Sequence, residues 1–240
     1  DNGVIEDNTI LFNESFAQAN ATSGGGIFIA GQTGLVPDNA GLLLSPGSGS
    51  VTVDSNVIRG NLAGAGDGGG IQLLSVNGED VTGNANSWHS VDIVNNMINN
   101  NVAGLAGGGI AIQDAVLVSI QNNTVAHNES TATAALAFSP GVFNESNATP
   151  AGIVSRTHST DFALAFGETS DVLFSDPALS DSIVEHNRSF FWLNFDDATT
   201  PEIETGLFPA NCATAPTGCD LTNVEGYTAD LAVMDGPFTV

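Results

Sequence analysis

Lysine is absent from this 240-residue chain, and only three arginines, Arg59, Arg156 and Arg188, stand against 27 acidic residues. A formal charge of −24 excludes a surface that grips nucleic acid backbones or anionic membranes. Long apolar runs are also missing. None approaches the roughly 18 residues of a membrane-spanning helix, and no basic start followed by an apolar stretch marks a signal peptide. The four histidines, His89, His127, His158 and His186, are scattered and form no HExxH pair. P-loop, dinucleotide, CxxCH and nucleophile-elbow patterns are absent as well. Only two cysteines occur, Cys212 and Cys219, separated by ATAPTG. Without a paired CxxC or a following histidine they do not suggest zinc, and an oxidised loop staple is expected, which fits a location outside the cytoplasm.

What the chain has in abundance is repetition. Ser90 to Ile112 reads SVDIVNNMINNNVAGLAGGGIAI, and Ser50 to Leu73 is a near copy, SVTVDSNVIRGNLAGAGDGGGIQL. The motif Asn-x-Ile/Val-x-x-Asn occurs at Asn8 to Asn13, Asn56 to Asn61, Asn96 to Asn101 and Asn123 to Asn128. Triple glycines precede alternating aliphatic segments at Ile27 and Ile29, Ile71 and Leu73, and Ile110 and Ile112. Period-two apolar spacing throughout predicts strands, and no segment carries a helical stripe.

The first asparagines lie 48, 40 and 27 residues apart. The shortest interval is the bare repeat, long enough for three strands of roughly four to six residues, which is one turn of a parallel β-solenoid. The longer intervals add loops at Pro37 to Gly49 and Val76 to Ser87, rich in turn-forming residues. Stacked coils would place Ile10, Ile58, Ile98 and Val125 in one internal column and Ile27, Ile71, Ile110 and Leu136 in another. Asn8, Asn56, Asn96 and Asn123 are expected to form a hydrogen-bonded ladder at a bend, because asparagine tolerates left-handed dihedrals and bonds backbone groups that the bend leaves unpaired.

These residues resemble the right-handed parallel β-helix superfamily, which includes pectate lyase-like enzymes, phage tailspikes and bacterial surface proteins with GGGI-type repeats. The resemblance runs over Val4 to Phe138 and again, through Ile183-Val184-Glu185-His186-Asn187, over Ser182 to Trp192. It implies an all-β, right-handed parallel β-helix solenoid with three strands per coil and an irregular C-terminal cap. It also implies either an adhesin-like module or a polysaccharide hydrolase or lyase. The basic residues beside a calcium-binding aspartate cluster that lyases of the superfamily use have one counterpart, Arg59, with Asn99 and Ala126 at the equivalent positions of later coils.

The solenoid is expected over residues 1–198, clearest in 4–138 and irregular in 139–198, with residues 199–240 as cap or extension. Ile153-Val154, Phe162 to Phe166 and Val172 to Phe174 read as short strands, and Phe190, Phe191, Trp192 and Phe195 as an apolar plug on the end or side of the helix. Because the repeat is already under way at Asn8, the first coil reads as incomplete, and a larger chain or assembly is expected. Of seven N-glycosylation sequons, Asn20, Asn144 and Asn147 are the candidates, since Asn13 and Asn128 sit at ladder positions.

Two functional classes follow. One is a non-catalytic extracellular or cell-surface module, structural or adhesive, whose loops after Gly31 and Ser75 leave along one edge and contact other extracellular chains or surface glycans. The other is a carbohydrate-active enzyme, for which Asp196 and Asp197, or Glu202 and Glu204, are the nearest carboxylate pairs. His158, near Asp161 and Arg156, is the one mixed polar group. No cofactor is required. Calcium is allowed by Asp38, Asp54, Asp67, Asp80 and Asp92 in or beside loops, without an assigned ligand set.

Overall fold

The computed structural model of the chain describes residues 2–16, 22–31, 36–37, 43–167, 174–195, 204–210 and 230–234. Its strands stack in parallel, one coil upon the next, in four ladders. The first ladder runs through Asn2–Glu6, Ser50–Asp54, Val91–Val94, Val118–Gln121 and Ala178–Ser180. The second runs through Thr9–Leu11, Val57–Arg59, Met97–Asn99, Thr124–Ala126 and Ile183–Glu185. A third, narrow ladder carries Glu14–Ser15, Leu62–Ala63, Val102–Ala103, Glu129–Ser130 and the start of Arg188–Phe195. The fourth comprises Ile27–Ala30, Ile71–Leu74, Ile110–Gln113, Ile153–Arg156 and Leu231–Met234. The chain is a right-handed parallel β-helix. The three long segments of each coil are those that the alternation predicts, and the third ladder, only two residues wide in the middle coils, is too short to register as a period.

The inward columns explain the aliphatic choices. Ile10, Ile58, Ile98, Val125 and Val184 pair in register, with Ile58, Ile98 and Val125 fully buried. In the fourth ladder Ile27, Ile71 and Ile110 align, but the next position is Ile153, not Leu136. Leu136 lies in a short 3-10 turn, Ala135–Ala137, and is 48% exposed. The segment Ala132 to Phe138 leaves the coil and lies over the outer side of the fourth ladder. There Ala132, Ala134 and Ala137 pack on Leu105, Ala106, Ala111 and Val154. The three-residue repeat of the 3-10 turn turns Ala134 and Ala137 to the same side and Leu136 away, whereas the sequence reads there as a two-residue alternation.

Two bends are built on one rule: a left-handed residue, then the ladder asparagine. Asp7, Ser55, Asn95, Asn122 and Asp181 have φ between 50 and 58° at the first bend, and Phe12, Gly60, Asn100, His127 and His186 between 53 and 66° at the second. At the first bend Asn8 donates through N and Nδ2 to Asn56 Oδ1, Asn56 likewise to Asn96, and Asn96 to Asn123. Ser182 Oγ ends the series by accepting from Asn123 N. A parallel series at the second bend runs Asn13, Asn61, Asn101, Asn128 and Asn187, and ends on Asp230. The glycine corner before the fourth strand is needed for space: a Cβ on Gly69 would come within 2.6 Å of the carbonyl oxygens of Val102 and Gly108.

The later residues correct one reading and add a rung to the solenoid. Phe162 to Phe166 is helical, within Thr160–Phe166, and Gly167 closes the helix at φ 73°. Its apparent alternation is an i, i+4 pair: Phe162 and Phe166 stack at 5.8 Å on one side. Leu231–Met234, in the region read as a closing strand or cap, pairs in parallel with Ile153–Arg156 as a fifth rung. Arg188–Phe195 turns back into an antiparallel hairpin with Glu204–Pro209, so Phe190, Phe191 and Trp192, with Phe191 6.0 Å from Phe208, sit at the edge of the third ladder. Residues 172 and 173 of the third strand reading lie outside the described residues, while Phe174 forms an isolated bridge with Thr157.

Candidate functional site

Among the described residues, the loops that follow the fourth strand in the second and third coils leave from one edge. Ser75 and Asp114 take left-handed φ values of 50 and 51° at the exits, turning the chain out of the coil. Each loop is then tied to its neighbour. Glu79 N donates to Ser45 O at 2.8 Å, Ser48 N to Val76 O at 3.0 Å, and Asn77 N to Asp114 O at 3.0 Å. Leu43 N donates to Asp161 Oδ2 at 3.1 Å, which joins the first loop to the helix after the fourth rung. The result is a ridge running along the solenoid, assembled from residues more than a hundred positions apart.

Asn77 and Asp80 hold the middle of the ridge. Asn77 Oδ1 accepts from Val116 N, and its Nδ2 donates to Asp80 Oδ2 and His89 O. Asp80 also accepts from Gly78 N at 2.7 Å and His89 N at 2.8 Å, and its Oδ2 lies 3.7 Å from His89 Nδ1. A second acid and histidine pair lies one coil further on. His158 Nδ1 is 3.3 Å from Asp114 Oδ1 but is not aligned for a hydrogen bond, and among the described residues neither ring nitrogen has a hydrogen-bond partner. Asp114 Oδ1 instead accepts from Ser159 N at 2.8 Å. The buried His158 ring packs 4.8 Å from Phe162 and 6.2 Å from Phe166, and Phe166 meets Trp88 at 5.4 Å.

These contacts revise the polar group expected around His158. Asp161 is taken up by Leu43 N, and Arg156 turns to the other end of the fourth face, where its Nε and Nη2 form a two-point pair with Asp67, each bond 2.8 Å. The carboxylate beside His158 is Asp114, which the sequence did not single out because the two are far apart along the chain. Asp67, a loop residue in the sequence reading and an allowed calcium ligand there, is fully buried and also accepts from Ala106 N. Burial pushes its carboxyl above the usual carboxylate range, with the Arg156 guanidinium and the Ala106 N–H pulling the other way.

The remaining candidates are dispersed. Asp54 takes Ser55 Oγ and Asn95 Nδ2, and Asp92 is exposed on the first face. Among the described residues no group of three or more His, Cys, Asp or Glu side chains is arranged to hold a metal ion. Asp196, Asp197, Asp38, Asn20, Cys212 and Cys219 lie outside the described residues. Glu204 begins a hairpin strand, and its expected companion Glu202 also lies outside them. Asn144 is exposed, while Asn147 directs Nδ2 to Ala137 O and Ser139 Oγ. Asn128 and Asn187, both within sequons, are fully buried in the second ladder.

The crest of the ridge combines polar and apolar surface. Residues Thr82 to Ser87 are exposed, and beside them stand Leu43, 43% exposed, and Leu164, 64% exposed. Among the described residues no helix is long and apolar enough to cross a membrane. Comparison of the chain with family models, with curated proteins and with solved structures gives no match.

Proposed function

We propose that this chain is a non-catalytic extracellular or cell-surface module in which a rigid β-helix presents the loop ridge to another protein chain or to a surface glycan. The observation that carries the reading is the tying of successive loops, Leu43 to Asp161 and Ser45 to Glu79, into one continuous surface with exposed Leu43 and Leu164 on it. Ordered loops on a stiff scaffold bind without the entropy cost of arranging them first. The carboxylates Asp80 and Asp114 beside the ridge are committed to holding backbone. The acidic surface suits a hydrated exterior and favours partners with cationic or neutral polar groups.

The test pairs a binding screen with a turnover screen. Immobilised chain is exposed to a glycan array and to purified extracellular matrix proteins, in parallel with a Leu43→Asp, Leu164→Asp variant. A partner bound by the parent and lost by the variant, at unchanged unfolding midpoint, supports the proposal. Release of reducing ends or unsaturated products from neutral or acidic polysaccharides, with or without calcium, overturns it in favour of a carbohydrate-active enzyme.

A further inference from the structure

The two asparagine ladders have a direction, and at one end they are unfinished. In every interior step the N–H and Nδ2 of one coil donate to the Oδ1 of the next, as Asn56 does to Asn96 and Asn61 to Asn101. In return the receiving Nδ2 bonds a carbonyl of the preceding coil three positions before the donor: Asn56 to Ile5 O, Asn61 to Ile10 O, Asn101 to Ile58 O. Among the described residues these partners are missing on the outer side of the first coil. Asn8 and Asn13 are exposed, and among the described residues nothing donates to either Oδ1. All four first-coil strands are terminal in their sheets. Ile5 and Ile10 are only partly buried, whereas Val53, Ile93, Ile58 and Ile98, at the equivalent inward positions, are 0% exposed.

We infer that this face takes one more parallel coil from a polypeptide segment with the pattern aliphatic-x-x-Asn-x-aliphatic-x-x-Asn. The two asparagines supply the donors that Asn8 and Asn13 lack, the two aliphatic residues close the core over Ile5 and Ile10, and their carbonyls receive the Asn8 and Asn13 Nδ2 groups. A second copy of this chain does not meet the requirement. Stacked head to head, it would oppose acceptor to acceptor and bring Glu6, Asp7 and Glu14 against themselves. Stacked head to tail, it would offer at most the backbone N–H groups of Ser182 and Asp230, because the Ser182 hydroxyl already donates to Ser180 O and Asp230 is a carboxylate with no N–H on its side chain. The hairpin Glu204–Pro209 moreover covers the third edge at that end.

The probe is a synthetic peptide with the sequence of Ser90 to Ile112, added to the intact chain, with amide hydrogen exchange as the readout. Expected is one-to-one binding that slows exchange in residues 2–6 and 9–11 by about tenfold or more, with exchange in the interior coils unchanged. A peptide with Asp for Asn at the positions copied from Asn96 and Asn101 is expected to give no slowing. Equal protection by both peptides, or dimerisation of the chain through this face in sedimentation, overturns the inference. A peptide that fails to fold by itself is bypassed by fusing a copy of Ser90–Ala115 directly ahead of Asp1, which keeps the repeat register. If the first-coil amides of that fusion exchange as fast as in the parent, the inference falls. These readouts are independent of ridge binding, so the proposed function stands or falls separately.

Discussion

Replacing Asn101 by alanine tests whether the ladders or the aliphatic columns hold the coils in register. Asn101 is fully buried at the centre of the second ladder. Its Oδ1 is the acceptor of Asn61 N, and its Nδ2 bonds Ile58 O at 3.0 Å. Alanine therefore leaves the buried Asn61 N–H without its acceptor and removes one of the bonds to Ile58 O, which stays in the parallel ladder, for a total of about 2–4 kcal/mol. The same change at exposed Asn8 removes bonds from Nδ2 to Glu6 O and Asn56 Oδ1, yet Asn56 Oδ1 keeps the Asn8 N–H. Its cost is about 0.5–1 kcal/mol. Urea unfolding followed by circular dichroism supplies the two midpoints. Because solenoids can open coil by coil, amide exchange at Asn61 is measured beside them, and it should accelerate by at least about a hundredfold in the Asn101 variant. If the two variants differ by less than about 1 kcal/mol and the Asn61 amide stays protected, the ladder is ornamental and the columns alone set the register.

Further outcomes follow from the same geometry. Asp67→Leu alone strands the buried Arg156 guanidinium and should cost about 3–5 kcal/mol, whereas Asp67→Leu with Arg156→Met should cost much less or stabilise, read as unfolding midpoints at pH 7. Because the folded carboxyl of Asp67 is raised, its stabilising share is complete below the ordinary carboxylate pKa and is lost as pH rises through the raised value. The midpoint of the parent relative to the double variant should accordingly fall across that window, and a rise would refute the assignment. Gly69→Ala forces a Cβ to 2.5 Å from Val102 O and should unfold the second coil, measured as loss of cooperative melting. Gly141→Ala, in open space at φ 81°, should cost only about 1 kcal/mol. Expressed in a glycosylating host, the chain should carry glycan at Asn144 and none at Asn128 or Asn187, as mapped by glycopeptide mass spectrometry.

Much of the architecture was legible because a stacked coil repeats the same local requirement. An aliphatic residue points inward, an asparagine follows a left-handed turn, and a glycine sits where a carbonyl passes, so each appears in the sequence at fixed offsets from the others. His127 illustrates this: it is aligned with Gly60 and Asn100 by sequence and occupies the same left-handed bend, stacked 5.2 Å from His186. Leu136 shows the limit. Its neighbours alternate as a strand would, but the alanines around it are drawn to Ala111 and Val154, a surface that exists only once the fourth ladder has formed.

The repeat thus determined by itself the winding, the inward columns and the asparagine bends, since those depend on residues whose separation the period dictates. Tertiary structure alone decided what lies outside the coil. Asp67 meets Arg156 across 89 positions, and Asp114 meets His158 beside Phe162 and Phe166. The ridge forms because parallel stacking brings successive loop exits to one edge, and coil height governs which residues touch there. Distance along the chain carries no information about it.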